Sequence, residues 1–179
     1  MKYPKKYLCL SKAVFLLALT GLLSCKSKKE TISEHVISLT SECPKDGNCS
    51  VKLNAHKAIE LKTDEFGRLY YTLVDDDAKS VYQYTYNRKV KGNLQDAQYR
   101  EEVIFEVSNQ DNMSLANEAL AQQKVLFGRF CYCKGQTGYY AVKQGKLVAA
   151  KNQKQTSVDL RFTITEVPQI TQHISWVTE

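Results

Sequence analysis

Strict alternation of apolar and polar residues constrains this chain more than any other feature. In the stretch SVDLRFTITEV, apolar side chains occupy every second position from residue 158 to residue 164, with polar side chains between them. Successive side chains of a β-strand point to opposite sides of the sheet, so this pattern is typical of a half-buried antiparallel strand. We therefore expect Asp159 and Arg161 to be exposed. The residues expected to be buried are Val158, Leu160, Phe162 and Ile164.

The same alternation recurs along most of the chain. EEVIFEV places its valines and phenylalanine on one face and Glu102 and Glu106 on the other, and QITQHISWV aligns Ile174 with Trp176, which we expect to be buried. Only SLANEALAQQ suggests a helix, with Ser114 as a candidate N-cap. Weaker strand patterns cover residues 35–41, 50–54, 57–62, 68–74, 124–133, 138–143 and 146–150.

Many short strands joined by turns predict an all-β fold, a single antiparallel β-sandwich or barrel-like domain with at most one short helix. The sequence leaves the choice between sandwich and barrel open. A parallel α/β sheet is excluded because the pattern lacks crossover helices. The chain also lacks the Rossmann and P-loop glycine motifs, so we expect no nucleotide cofactor, and no other cofactor is indicated.

The first 25 residues carry a targeting pattern. A cluster of lysines precedes an apolar run of eleven residues, from Ala13 to Leu23. This run is shorter than the roughly 20 residues that span a bilayer, and it fits a cleaved secretory signal. It ends in Leu22-Leu23-Ser24-Cys25, which resembles the lipobox of bacterial lipoproteins. That motif has an aliphatic residue three positions before the cysteine and a small residue directly before it.

The lipobox resemblance implies that Cys25 is lipidated and becomes the N-terminus of the mature protein. Residues 1–24 would then be the signal peptide, 25–31 the lipidated cysteine with a polar tether, and 32–179 the β-domain. Several acyl chains hold a protein on a membrane almost permanently. Because Lys26, and not aspartate, follows the cysteine, the sorting rule of enteric-type lipoproteins implies the outer membrane. The side of that membrane on which the domain lies is left open.

The charge of the folded part is balanced. The chain has 25 basic and 19 acidic residues, but seven of the basic and one of the acidic residues lie in the first 30 positions, which leaves 18 of each. The apparent basic character therefore belongs to the targeting segment. Nucleic-acid binding would require a basic patch on the domain, so we expect no nucleic-acid partner.

Four cysteines remain in the mature domain: Cys43, Cys49, Cys131 and Cys133. An even set in an oxidising compartment predicts disulfides, but four cysteines allow three connectivities. Residues two apart in a regular strand lie about 6.6 Å from each other, so a bond between Cys131 and Cys133 requires the strand to break there. A local bridge between Cys43 and Cys49 stays open. We favour cross-pairing between the two sets.

A structural role is the preferred interpretation of these cysteines. A zinc site usually uses a C-x₂₋₄-C spacing, which C-x₅-C and C-x-C do not match, so no metal is expected. A redox-active C-x-C needs a thiolate stabilised by a helix N-terminus or by nearby cations. Arg129 and Lys134 are close in sequence, but the chain has no thioredoxin-like βαβ pattern.

The strand that carries the C-x-C motif has two faces of different character. Gly128 marks either a close contact or a bulge. We expect the cysteines to lie on the outer face and Phe130 and Tyr132 to face the core. The residues that share the face of the cysteines are Val125, Phe127 and Arg129.

The face formed by Tyr82, Tyr84 and Tyr86 allows two interpretations. Tyrosine is enriched in interfaces, so these side chains could form an amphipathic binding surface. Aromatic residues also pack well across strands, and a buried tyrosine needs a partner for its hydroxyl group. We favour packing, and we keep the tyrosine face as a candidate binding surface.

Two further groups have ordinary explanations. Asp75, Asp76 and Asp77 lack the alternating oxygen ligands and the glycine of a calcium loop, so a solvated turn is the preferred interpretation. His173 lies on the face opposite Trp176 and is expected to face solvent. No G-x-S-x-G motif marks a nucleophilic serine.

These observations favour a lipid-anchored bacterial envelope protein that acts as a non-catalytic binding or structural β-module. Its partners would be the membrane, through the lipid, and a protein or glycan of the envelope. No catalytic residue is assigned. The alternative is a small envelope enzyme that uses a reactive cysteine or a histidine in a cleft.

Overall fold

The computed structural model describes residues 36–90, 92, 96–152 and 155–178. In these residues the chain forms ten strands and one short helix, which confirms the all-β class. Cys25, the predicted signal peptide and the predicted tether lie outside the described residues. The elements are β1 (Ile37–Leu39), β2 (Gly47–Thr63), β3 (Leu69–Arg88), β4 (Tyr99–Ser108), β5 (Met113–Ala116), α1 (Glu118–Gln122), β6 (Leu126–Cys131), β7 (Gly138–Ala141), β8 (Gln144–Lys151), β9 (Thr156–Thr163) and β10 (His173–Thr178).

The strands form two antiparallel sheets. Sheet A has the order β1-β10-β9-β8-β5, and sheet B has the order β2-β3-β4-β6-β7. Sheet B also curls back on itself, because Leu69 at the start of β3 pairs with Tyr139 of β7. Strands β3, β4, β6 and β7 thus form a closed four-stranded barrel. The protein therefore combines the two architectures between which the sequence could not choose.

The main core lies between the two sheets, and it follows the alternation of the sequence. The ring of Trp176 in β10 lies 5.3 Å from that of Tyr82 in β3 and 5.8 Å from that of Phe105 in β4. Arg161 is exposed and Asp159 is partly exposed. The burial predicted for β9 and β10 is confirmed for Val158, Leu160, Phe162, Ile164, Ile174 and Trp176.

A second core fills the barrel. It consists of Ile59, Val81, Ile104 and Leu126, with partly buried neighbours such as Tyr71. Strands β4 and β6 therefore bury both faces. Glu102 and Glu106 lie on the barrel side of β4 and are 4% and 2% exposed, although the alternation alone would place them in solvent.

The hairpin of β2 and β3 bends at an irregularity, which lets the first part of β3 close the barrel and places Ile59 of β2 against its core. Ala55 pairs with Ser80, but Lys57 pairs with Asp75, so residues 76–79 lie opposite His56 alone. The three aspartates at 75–77 thus belong to strand β3, and the predicted turn is wrong. Asp77 lies 3.5 Å from His56, and Asp75 forms an ion pair with Lys57.

The helix is shorter than predicted and begins later. Ser114 lies in strand β5, whose neighbour Leu115 pairs with Leu147 of β8, so Ser114 does not cap a helix. The N-cap is Asn117, which has a φ of 52° and makes no capping hydrogen bond with its side chain. Its Oδ1 atom instead accepts a bond from the backbone of Gly145. Pairing with sheet A thus takes precedence over helix propensity in the first half of SLANEALAQQ.

The faces predicted for β6 are wrong in part. Phe127 lies in the main core, and Tyr132 is 87% exposed because the strand ends at Cys131. Phe130 is partly buried and contacts the ring of Tyr139 at 5.2 Å. Gly128 permits this contact, since an added Cβ atom would lie 2.7 Å from both rings. Close packing, and not a bulge, thus explains the glycine.

Candidate functional site: a cleft at the end of sheet B

The tyrosine face does not form a binding surface. Tyr82, Tyr84 and Tyr86 are at most 3% exposed and lie in the main core. The hydroxyl of Tyr84 donates to the Sγ atom of Cys49 at 3.0 Å, and that of Tyr86 donates to Asp46 at 2.9 Å. Burial raises the pKa of all three side chains. The candidate surface is therefore rejected, and the favoured packing interpretation is correct.

All four cysteines of the domain form disulfides, but the pairing is local. Cys43 bonds to Cys49, and Cys131 bonds to Cys133, so the prediction of cross-pairing is wrong. The physical reason is the end of strand β6 at Cys131. The chain turns there, and the two Cα atoms approach to 5.2 Å, which is closer than the roughly 6.6 Å of a regular strand.

A cleft of about 610 Å³ opens at this end of sheet B. Tyr99 at the start of β4 pairs with Cys131 at the end of β6, and Arg88 at the end of β3 lies beside Tyr99. On the opposite face of the strands, Arg100 pairs with Phe130. The strand ends thus supply most of its wall. The lining consists of Asn87, Arg88, Asp96, Gln98, Tyr99, Arg100, Phe130, Cys131, Tyr132 and Thr137.

Two guanidinium groups lie against the ring of Tyr99. The central carbon of Arg88 is 4.5 Å from the ring centre, and that of Arg129 is 5.3 Å away. The tyrosine hydroxyl donates to Oε1 of Glu101 at 2.6 Å. Burial, and then this bond to a carboxylate, raises the pKa of Tyr99 to about 12. The ring is therefore held rigidly as part of the cleft wall.

Glu101 forms the support beneath Tyr99. It is 0% exposed and accepts bonds from the backbone N–H groups of Ile170 and Thr171 at 2.7 and 2.8 Å. A buried carboxylate is tolerated only when such donors surround it. Glu101 thus joins the end of sheet B to the segment that precedes β10.

Arg100 lies on a second aromatic ring of the cleft. Its guanidinium carbon is 4.5 Å from the ring centre of Phe130, and its Nε atom is 3.2 Å from Oε1 of Glu102. Glu102 also accepts a bond of 2.6 Å from the hydroxyl of Tyr139. Burial and this carboxylate raise the pKa of Tyr139 well above its ordinary value. Glu102 therefore fixes the orientation of Arg100, while the outer part of this arginine side chain remains accessible to a ligand.

The loop between β6 and β7 is fixed by Arg129. The Nη1 atom of Arg129 donates to the side chain of Gln136 at 2.9 Å and to its carbonyl at 3.3 Å. The hydroxyl of Thr137 donates to the carbonyl of Arg129 at 3.2 Å. These bonds hold the segment that carries the Cys131–Cys133 disulfide and the exposed Tyr132.

A histidine and a carboxylate meet elsewhere, on the outer face of sheet A. The Nε2 atom of His173 lies 2.8 Å from Oδ2 of Asp159. The imidazole is 31% exposed, so the prediction that it faces solvent is correct only in part. Ser175 pairs with Asp159 across the strands, but its hydroxyl forms a hydrogen bond with that of Thr40 at 2.7 Å. In the described part of the chain, no serine hydroxyl thus forms the bond to His173 that a catalytic triad requires.

Sequence reasoning missed the residues that form the cleft. Arg88, Tyr99 and Arg100 stand at strand ends, where alternation no longer indicates a direction. Charged residues at such positions are ordinarily solvated. Their stacking on rings follows from the register of three strands, for which the sequence carries no local signal.

No family model, curated protein or solved structure gives a significant match to this chain. In the described part of the chain, no helix is long and apolar enough to cross a membrane. Among the same residues, no cluster of three or more histidine, cysteine or acidic side chains could hold a metal ion.

Proposed function

We propose that this protein is a lipid-anchored, non-catalytic binding module of the bacterial envelope, and that the cleft at the end of sheet B is its ligand site. Cys25 would carry the lipid after removal of residues 1–24 and would hold the domain at the outer membrane. The observation that carries the proposal is the pair of guanidinium groups, Arg88 and Arg100, each stacked on an aromatic ring of one cleft.

The ligand class follows from these two side chains. Arg88 and Arg100 are 41% and 46% exposed, so each can still reach a ligand, and a guanidinium group binds a carboxylate through paired hydrogen bonds. Each already contacts one carboxylate of the protein, Asp46 or Glu102, which fixes its orientation. Phe130 and Tyr132 add apolar surface beside them. The cleft is therefore suited to a carboxylate-bearing ligand with a flat or apolar part.

The volume of the cleft agrees with a small ligand or with one segment of a larger one. Sites for small molecules are commonly about 300–1,000 Å³ and combine apolar walls with a few fixed polar groups. The lining includes no histidine among the described residues. Asp96 is the one carboxylate that the described residues contribute to the lining, and the hydroxyl of Tyr99 already donates to Glu101, so this wall favours binding over acid–base chemistry.

Titration calorimetry on the detergent-solubilised, full-length protein tests the proposal. The probes are glucuronic acid and an acetylated acidic tripeptide, and the matched neutral probes are glucose and the fully amidated tripeptide. We expect one acidic probe to bind and its neutral counterpart to fail. Binding by neither acid, or equal binding by acid and neutral probes, would refute the ligand class.

Two variants locate the binding on the molecule. Arg100→Gln should weaken the binding of the acidic probe about tenfold, which is the loss expected for one hydrogen bond to a charged group. Arg161→Gln is the matched control, because Arg161 is exposed on sheet A and lies outside the cleft lining. Equal loss in both variants would show that the effect is one of general charge.

A further inference from the structure

The Cys131–Cys133 disulfide lies at the edge of the cleft. Cys131 lines the cleft directly, and Tyr132, which the bond encloses, is 87% exposed. Both cysteines are only partly buried. A thiol that enters the cleft can therefore approach this disulfide.

Several hydrogen bonds hold this loop in addition to the disulfide. Arg129 binds the side chain and the carbonyl of Gln136, and Thr137 binds the carbonyl of Arg129. A turn bond also joins the N–H of Gln136 to the carbonyl of Cys133. A disulfide that closes so few residues restricts the unfolded chain less than one that closes a longer loop. A role as a structural staple would thus add little to contacts already present.

The Cys43–Cys49 disulfide provides a contrast in the same chain. Both of its cysteines pack against the main core, and Cys49 accepts a bond from the buried hydroxyl of Tyr84. Its loop is tied to the sheet by the bond from Tyr86 to Asp46. Cys43 and Cys49 are partly buried as well, so the contrast lies in these core contacts and not in exposure. Such contacts are typical of a structural disulfide, which resists reduction.

Cationic side chains either neighbour Cys131 and Cys133 in sequence or line the same cleft. Arg129 lies two residues before Cys131, Lys134 directly follows Cys133, and Arg88 and Arg100 line the same cleft. Three acidic groups are also near. Glu101 and Glu102 are buried and already accept hydrogen bonds, whereas Asp96 contributes a carboxylate to the cleft lining. Positive side chains stabilise the thiolate that disulfide cleavage releases.

We propose that Cys131–Cys133 is a redox-active disulfide that exchanges with the thiols of a peptide dithiol bound at the cleft. One thiolate of the peptide attacks Sγ of Cys131, a mixed disulfide forms, and Cys133 leaves as the thiolate. The second peptide thiolate then attacks the peptide sulfur of the mixed disulfide and releases Cys131. The peptide loses two electrons and becomes a disulfide, and the protein gains them as a dithiol, while the two thiol protons pass to solvent or to the released thiolates. A disulfide compound reverses the reaction and restores the oxidised protein.

Thiol–disulfide exchange would be a reaction beyond the non-catalytic binding proposed above, and it does not depend on the acidic ligand. The two proposals share the cleft but rest on different groups, the guanidiniums in one and the sulfur atoms in the other. Carboxylate binding by a protein whose disulfide is inert would refute the redox proposal alone. Thiol exchange by a protein that binds no acidic probe would refute the ligand class alone.

Reduction in a series of glutathione buffers tests the proposal on the full-length protein in detergent. After each equilibration, free thiols are alkylated and the cysteines are mapped by mass spectrometry. We expect Cys131 and Cys133 to become reduced at roughly tenfold lower ratios of squared thiol to disulfide than Cys43 and Cys49. Near-ultraviolet circular dichroism should show that the protein remains folded after the first pair is reduced. Simultaneous reduction of both pairs, or unfolding on loss of the first bond, would refute the proposal and assign a structural role.

A trapping experiment gives an independent result. Cys133→Ser removes the leaving thiol, so the Cys131 thiolate should attack glutathione disulfide and retain one glutathione as a stable mixed disulfide. The wild-type protein, reduced at this pair, should release the glutathione because Cys133 resolves it. A Cys131→Ser, Cys133→Ser double variant is the control and should acquire none. Failure of Cys133→Ser to acquire glutathione while folded would overturn the proposal.

Discussion

The guanidinium carbon of Arg88 lies 4.5 Å from the ring centre of Tyr99, and on the same ring the corresponding carbon of Arg129 lies at 5.3 Å. Stacking of a cation on an aromatic ring is favourable by about 0.5–2 kcal/mol, depending on exposure. The arrangement also holds the ring and the charges in fixed positions. Because these side chains are already ordered, less conformational entropy is lost when a ligand binds.

Loss of the Tyr99 hydroxyl should destabilise the protein through Glu101. Tyr99→Phe keeps the ring beside its two arginines but removes one donor from the fully buried carboxylate of Glu101, together with the acceptor of a 3.4 Å bond from Nε of Arg129. An unsatisfied buried acceptor costs about 1–3 kcal/mol, so we expect the free energy of unfolding to fall by that amount. Urea titration measures it. Tyr70→Phe, at an exposed tyrosine, is the control and should change stability by less than about 0.5 kcal/mol. Equal effects would contradict the role of Glu101.

The stability should also depend on the ionisation of Tyr99 at high pH. Its pKa is raised to about 12, first by burial and then by its bond to Glu101, whereas a tyrosine of the unfolded chain titrates near pH 10. The neutral form is favoured in the folded state. The contribution of neutral Tyr99 to the free energy of unfolding is therefore complete below about pH 10, and it is lost as the pH rises from about 10 to 12.

Ultraviolet absorbance of phenolate measures this titration. The difference between wild type and Tyr99→Phe should titrate near pH 12, with circular dichroism at each pH to identify the folded range. A difference curve centred at pH 10 in folded protein would show that Tyr99 is not held as described.

Replacement of Leu160, which lies in the main core, should strongly lower the free energy of unfolding. This side chain is 0% exposed, and Leu160→Ala should lower the free energy of unfolding by about 2–5 kcal/mol. Thr163→Ala lies on the same strand at an exposed position and should cost less than about 0.5 kcal/mol. Denaturant titrations of the two variants compare them directly. A loss at Leu160 no larger than that at Thr163 would contradict the assignment of this face to the core.

The sequence predicted best where one face of a strand is buried and the other is not. In β9 and β10 the alternation identifies Val158, Leu160 and Trp176 correctly, because sheet A has solvent on its outer side. It fails in β4, where the β2–β3 hairpin folds over the second face and buries Glu102 and Glu106. The bend that produces this cover depends on pairing between distant residues. The local sequence pattern therefore carries no information about this bend.

The cysteines illustrate a second limit of the sequence. The prediction that all four form disulfides is confirmed, and it depended only on their even number and on the expected oxidising compartment. The pairing depended on where strand β6 ends. That end is set by pairing with Tyr99 on β4, and it lies at Cys131. The cleft residues were missed for the same reason, because their meeting depends on strand register.

Lipidation at Cys25 remains a prediction from the Leu22–Cys25 motif. Labelled palmitate should enter the wild-type protein when it is expressed in a bacterial host. Cys25→Ala should abolish the label and yield an unprocessed or soluble form, while Cys9→Ala, within the signal peptide, should leave the label unchanged. Absence of label from the wild-type protein would contradict the proposed anchor.

The most direct test of the central claim is the location at which an acidic ligand binds. Nuclear magnetic resonance of the isotope-labelled, full-length protein in detergent can follow the side-chain Nε–H groups of Arg88, Arg100 and Arg161 during titration with the acidic tripeptide or glucuronic acid. We expect saturable shift changes at Arg88 and Arg100, together with the backbone amides of Tyr99 and Tyr132, and none at Arg161. Changes centred on Arg161, or no saturable change with either acid, would contradict the assignment of the cleft as the ligand site.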